Sequence, residues 1–163
     1  MRRTFALSLA TFACLLAACG GQRTGSDEIA MQLNAAREPA EAQAGDLLVR
    51  ASIAPTAALP EAIASRYGVR RDPRGVLLLA GLRRVDGAQE TSLPATLSVE
   101  VRDLRGVRRN VPLREVRLDG FIDYVGEVRA APPDTLTFDV VAEDDDGNQV
   151  ELRFSRDLFP PQR

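Results

Sequence analysis

Hydrophobic and polar positions divide the chain into three stretches. From Phe5 to Leu16 the sequence is apolar except for Ser8 and Thr11, and Arg2 and Arg3 precede it. From Gly20 to Gly45 it is rich in Ala, Gln, Glu, Gly and Arg, and Ile29, Met31 and Leu33 are its only large apolar residues. Such a stretch lacks the apolar surface to offset its ordering entropy and reads as a flexible tether. From Asp46 onward apolar residues recur with a period of two, the signature of half-buried strands.

The period predicts seven strands. Leu47, Val49, Ala51 and Ile53 share one phase. Val76 to Leu82 is apolar except for Gly81, as expected of a central strand covered on both faces. Leu97, Val99 and Val101 alternate with polar residues, as do Leu136, Phe138, Val140 and Ala142, then Val150, Leu152 and Phe154. Two less regular strands fall at 110–118 and 121–130. In the first, Val111 and Leu113 are out of phase with Val116 and Leu118, which predicts a β-bulge near Arg114-Glu115, while Pro112 suggests an edge. Asp86-Gly87, Arg105-Gly106, Asp119-Gly120 and Gly147-Asn148 mark tight turns. Pro132-Pro133 closes one wider connection. The longest connection runs from Ile53 to Val76. Pro60 as first helical residue, Glu61 in the first turn and Gly68 beyond the end predict a short helix over 60–67, covering one end of the fold. The expectation is a single all-β domain over 46–163, an antiparallel β-sandwich of immunoglobulin-like size.

The N-terminal apolar run is too short for a permanent span, which needs about 20 residues, and suits a signal peptide. It ends in Leu16-Ala17-Ala18-Cys19-Gly20, which resembles the lipobox of bacterial lipoproteins: a branched apolar residue, two small residues, then cysteine. That resemblance implies cleavage between Ala18 and Cys19, lipidation of the Cys19 thiol, and a mature chain anchored to the membrane by its first residue. Two or three acyl chains, at about 0.8 kcal/mol per buried CH₂, make such an anchor effectively permanent. Gly20 after the cysteine implies sorting to the outer membrane, at its periplasmic face. Cys14 is lost with residues 1–18, so no disulfide is possible in the remaining chain.

The domain itself resembles a bacterial lipoprotein and periplasmic family defined as domain of unknown function 4426. The resemblance is carried by Pro60-Glu61-Ala62-Ile63-Ala64 through Tyr67-Gly68-Val69, the Val76-Leu77-Leu78 strand and the Gly106 hairpin, together with Tyr124-Val125-Gly126 and Asp134 to Val140. It spans about Gly45 to Phe159. Where that pattern has polar and aromatic residues including a histidine on the first strand, this chain has Arg50, Ala51 and Ser52, so any role of that histidine is absent here.

Composition narrows the chemistry. The 163 residues include 45% hydrophobic and 27% charged side chains with formal charge −2, which disfavours a nucleic-acid binder. There is no histidine and no lysine, so a Ser-His-Asp triad, an imidazole metal site and a lysine Schiff base are all excluded. Asp144 and Asp146, in the acidic run 143–148, have the oxygen density of a calcium loop, but the distal carboxylate is out of register. Asp123 with Glu127 or Asp119 is the candidate carboxylate pair for weak glycoside hydrolysis. Arg66, Arg70, Arg71 and Arg74 cluster around the predicted helix and suit an anionic partner. Tyr67 and Tyr124 read as packing residues, Tyr124 with a hydrogen bond across a strand end. The functional expectation is a non-catalytic, cofactor-free, lipid-anchored binding or assembly module with an envelope protein partner. Its contacts would be an exposed sheet edge and the Pro55 to Arg74 connection. A small-ligand or glycan-handling protein and an inhibitor of a periplasmic enzyme are the alternatives.

Overall fold

The computed structural model describes residues 38–160. The expected signal peptide, with Ala18 and Cys19, and the expected tether up to residue 37 lie outside them. Ten strands form two antiparallel sheets: β1 (Ala40–Ala44), β2 (Leu47–Pro55), β3 (Gly75–Asp86), β4 (Gln89–Leu93), β5 (Thr96–Arg102), β6 (Arg108–Asn110), β7 (Leu113–Leu118), β8 (Phe121–Arg129), β9 (Asp134–Glu143) and β10 (Gln149–Leu158). The first sheet runs β1-β2-β3-β8-β7, with β4 also on β3; the second runs β10-β9-β5-β6. The chain is an all-β antiparallel sandwich, as its periodicity implies.

The core lies between the sheets. Val49 and Ala51 of β2, Leu78, Ala80 and Leu82 of β3, and Val128 of β8 face Val99, Val101, Leu136, Phe138, Val140, Leu152 and Phe154. Phe138 and Phe154, opposite one another on β9 and β10, stack with ring centroids 5.0 Å apart. The other phase of β3 is also covered: Leu77 packs with Val125, Ala64 and Val69 in a second cluster. β3 is thus buried on both faces, as its unbroken apolar run predicts.

Four features differ from the sequence expectation. First, strands number ten rather than seven, because Ala40–Ala44 and Gln89–Leu93 also pair and the strand expected over 110–118 is divided in two. The tether was expected to reach Gly45, but β1 joins β2 in full register, Ala40 opposite Ala51 and Ala44 opposite Leu47. Small side chains hide β1 from a hydrophobicity pattern, and backbone pairing rather than burial fixes it. Second, the expected strand over 110–118 is two strands in different sheets. β6 pairs with β5 and β7 with β8, and the chain changes sheet at Val111-Pro112. The phase reversal marks this crossing, not a bulge.

Third, the helix α1 spans Glu61–Arg66, with Pro60 as its N-cap at ψ 143°, so Pro60 stands before the first turn. Fourth, α1 covers the outer face of the first sheet over Leu77 and Val125, not an end of the sandwich. The connection holding α1 is closed by Thr56, which is fully buried. Its Oγ1 donates to the Asp72 carbonyl and accepts from the Asp72 amide, both at 3.0 Å.

Turns follow the glycines. Gly87, Gly106, Gly120 and Gly147 all have φ between 60° and 84°, a region that strains other residues. Among the described residues no helix is long and apolar enough to cross a membrane.

Candidate functional site

The arginines from the long connection do not form one cluster. Arg66 reaches the far turn and pairs with Asp119. Arg71 Nη2 donates to the Ala57 carbonyl at 2.9 Å, tying the strap to itself. Arg74 is exposed, and its backbone carbonyl accepts from the Ala130 amide at 3.0 Å. Only Arg70 turns toward a concave surface.

That surface is a cleft of about 350 Å³ on the flank where the chain changes sheets. Arg70, Arg109 of β6 and Arg129 of β8 line it together with Asp72, Glu127 and Val111. Three separate segments supply the three guanidinium groups, and each is placed by backbone structure. Arg129 is the last residue of β8, opposite Gly75. Arg109 lies opposite Val101 on β5, and Arg70 follows Val69, whose side chain is buried beneath α1. Arg129 Nη2 bonds Asp72 Oδ2 at 3.2 Å, and Arg109 Nη2 donates to the Arg129 carbonyl at 3.2 Å. Arg70 and Glu127 make no hydrogen bond or ion pair among the described residues, and both are exposed. An excess of guanidinium over carboxylate in a concave, partly apolar setting suits recognition of a carboxylate or phosphate group. Arg109 and Arg129 were not singled out in the sequence, since nothing local connects them to Arg70.

The carboxylates proposed for hydrolysis are held apart. Asp123 and Glu127 share the outer face of β8 four residues apart, about 13 Å along a strand, beyond the separation of catalytic pairs. Asp123 accepts a hydrogen bond from Tyr67 Oη at 3.3 Å, and Asp119 is paired with Arg66. Burial, then the charge of Asp123, raises the Tyr67 pKa above its ordinary value. Tyr67 packs in the outer cluster, and Tyr124 is buried between the sheets, each in the packing role expected from sequence.

The acidic run 143–148 is a self-contained hairpin loop. Asp144 is buried, and its Oδ1 accepts the Asp146 amide at 3.0 Å and the Asn148 amide at 2.8 Å; its Oδ2 accepts Asn148 Nδ2 at 3.0 Å. Hydrogen bonding, first from the Asn148 side chain and then from its backbone, depresses the Asp144 pKa. Amide protons thus occupy the oxygens a cation would need, and Asp146 contributes its backbone, with its side chain exposed. No group of three potential ligands occurs among the described residues.

The same device recurs at the opposite end of the second sheet. Asp103 Oδ1 accepts the Arg105 and Val107 amides, both at 3.0 Å, and Gly106 matches Gly147 in positive φ. The Val107 amide is the largest contribution depressing the Asp103 pKa, against a smaller opposing effect of burial. The shared spacing, Asp-x-x-Gly-x, was readable in the sequence.

Arg50, on β2, is bidentate to Glu90 at 3.0 and 3.1 Å and also pairs with Glu41. It links β1 to β4 across the outer face of the first sheet. The Glu90 hydrogen bond is the leading reason its pKa is raised.

Comparison with known proteins places this fold. A DUF4426 family protein from Pseudomonas aeruginosa PAO1 superposes with a TM-score of 0.63 at 19% identity, covering 76% of this chain and 97% of its own. FetP from uropathogenic Escherichia coli strain F11, isolated after periplasmic expression, gives 0.55 at 11% identity, with 76% and 97% covered. A copper-bound variant of that FetP gives 0.52 at 12% identity, with 74% and 98% covered. At these identities the likeness is one of fold. No curated protein matches the chain. The model of the domain of unknown function DUF4426 matches residues 41–161, nearly the whole sandwich, and the chain belongs to that family.

Proposed function

We propose that the protein is a lipoprotein of the outer membrane, held at the periplasmic face through Cys19, whose sandwich serves without catalysis as a binding module for an envelope protein. The observation that carries this reading is the flank cleft, where Arg70, Arg109 and Arg129 converge from three segments and Arg70 stays unpaired among the described residues. An acidic side chain or chain terminus of the partner is the group such a cleft accepts. The lipobox supplies the anchor. The candidate acids Asp119 and Asp123 are already engaged by Arg66 and Tyr67, and Glu127 stands about 13 Å from Asp123 along the strand. Copper handling, suggested by the bound FetP variant, finds little support in a chain without a histidine.

Crosslinking in intact cells from a photoreactive residue at Arg70 tests the partner. Repeated capture of one envelope protein, lost on Arg109→Ala, is the expected result. Capture of only abundant bystanders would set this cleft aside as an interface. Separately, Cys19→Ala releases the chain from the membrane fraction; unchanged fractionation would refute the anchor.

A further inference from the structure

The two ends of the sandwich differ in charge. At one end stand the entry of the chain at Glu38, the strap between β2 and β3, the Asp103–Val107 loop and the end of β10. Arg71, Arg74 and Arg105 are exposed there. Its carboxylates Asp103, Asp134 and Asp157 are tied into the domain by hydrogen bonds, Asp72 is paired with Arg129, and Glu38 is exposed. The opposite end presents Asp46, Asp86, Asp119, Asp145 and Asp146 in exposed positions, of which Asp46 is paired with Arg84 and Asp119 with Arg66.

The basic end also exposes large apolar side chains: Leu104 is 69% exposed, Val107 48% and Phe159 72%. The Leu104 amide bonds Asp134, which lies opposite Leu158, so these residues belong to one tip. The other such residues among those described differ in setting: Ile63 lies on α1, and Phe121 lies under the Arg83 guanidinium, 5.0 Å from its ring centre.

Arg105 also pairs with Asp103 at 3.1 Å and Arg71 with the Ala57 carbonyl, yet both stay exposed. Apolar side chains protruding among exposed arginines match a membrane surface, where the former enter the acyl boundary and the latter meet phosphate. Arg156 Nη2 donates to the Glu38 carbonyl at 2.8 Å, so the chain enters the domain at this tip. We propose that the tip bearing Leu104, Val107 and Phe159 docks on an anionic phospholipid leaflet, the one that seats the Cys19 lipid. This last clause rests on the lipoprotein reading. Docking leaves the acidic end pointing away from the bilayer. The length of the tether does not impose this orientation. Fully extended, the steps from Cys19 to Glu38 cover about 65 Å, roughly twice the ~33 Å of a ten-residue strand. Charge and apolar exposure decide it.

The chain has no tryptophan, so Leu104→Trp and, in the β3–β4 turn at the other end, Ala88→Trp each report from one site. The full lipidated chain is reconstituted in vesicles of phosphatidylglycerol and phosphatidylethanolamine with brominated acyl chains. Quenching several-fold stronger for Leu104→Trp than for Ala88→Trp is expected. It weakens in phosphatidylcholine alone, in high salt, and on Arg74→Ser with Arg105→Ser. Equal quenching at both positions overturns the docking. So does a blue shift of Leu104→Trp that grows with protein concentration without lipid, since that marks self-association. Flotation of the same samples reads the anchor by itself. With Cys19→Ala and excess vesicles, a retained preference for Leu104→Trp supports the tip independently of the anchor, and its absence counts against it.

Discussion

The Tyr124 hydroxyl accepts the Ala95 amide proton at 2.8 Å, at the step where the chain leaves β4 in one sheet for β5 in the other. Tyr124 sits on β8 with its ring buried in the core, so one side chain both packs between the layers and fixes a crossing between them. Burial is the leading reason its pKa is raised. Tyr124→Phe keeps the ring and removes the acceptor. The expected loss is about 1 kcal/mol, read as a lower midpoint in urea with an unchanged slope.

Gly126 stands where the crossing from β6 to β7 passes over β8. A Cβ there would lie 2.6 Å from Val111 Cγ1 and 2.9 Å from Leu113 Cδ2. Gly126→Ala therefore forces the Val111-Pro112 step outward and destabilises by about 1–3 kcal/mol. Thermal unfolding measures the loss, and a variant as stable as the parent would contradict the close approach of the two segments.

Asp103 and Asp144 both have depressed pKa values in the folded protein. A carboxyl whose folded pKa lies below its unfolded value, about 3.9, contributes stability above that value and loses it as pH falls through the folded pKa. Stability should therefore decline below about pH 4 more steeply in the parent than in the Asp103→Asn, Asp144→Asn double variant. Denaturant titrations at pH 7 and pH 3 compare the two slopes.

Calcium should leave the protein unchanged. The Asp144 oxygens already accept the Asp146 and Asn148 amides and the Asn148 side chain, and a cation would have to displace these donors. Calorimetry with millimolar calcium is expected to show no binding heat and no shift in melting temperature. Saturable heat abolished by Asp144→Asn would reverse this conclusion.

The strands that bury one face were legible because alternation is imposed by burial. Leu136, Phe138, Val140 and Ala142 repeat every second residue for that reason. The strands that were missed bury little: Ala40–Ala44 and Gln89–Leu93 are held by main-chain pairing, about which side-chain polarity is silent. At 110–118 the reversal of phase was visible, but a bulge and a change of sheet produce the same pattern. Only the partners of β6 and β7 separate them. The candidate site was legible in one residue. Arg70 was named among neighbours in sequence, whereas its companions Arg109 and Arg129 come from β6 and β8, and that convergence is set by tertiary topology alone.

β3 has β2 along most of one side, and on the other β8 for its first half and β4 for its second. Among the described residues no other strand is flanked in this relay, and with cover above and below it is the part of the domain hardest to expose by partial opening. Its amide hydrogens from Leu77 to Leu82 should be the last to exchange with solvent deuterium, at a rate set by global unfolding. The outer strands can then fray, admit a partner or be trimmed while this one keeps the memory of the fold.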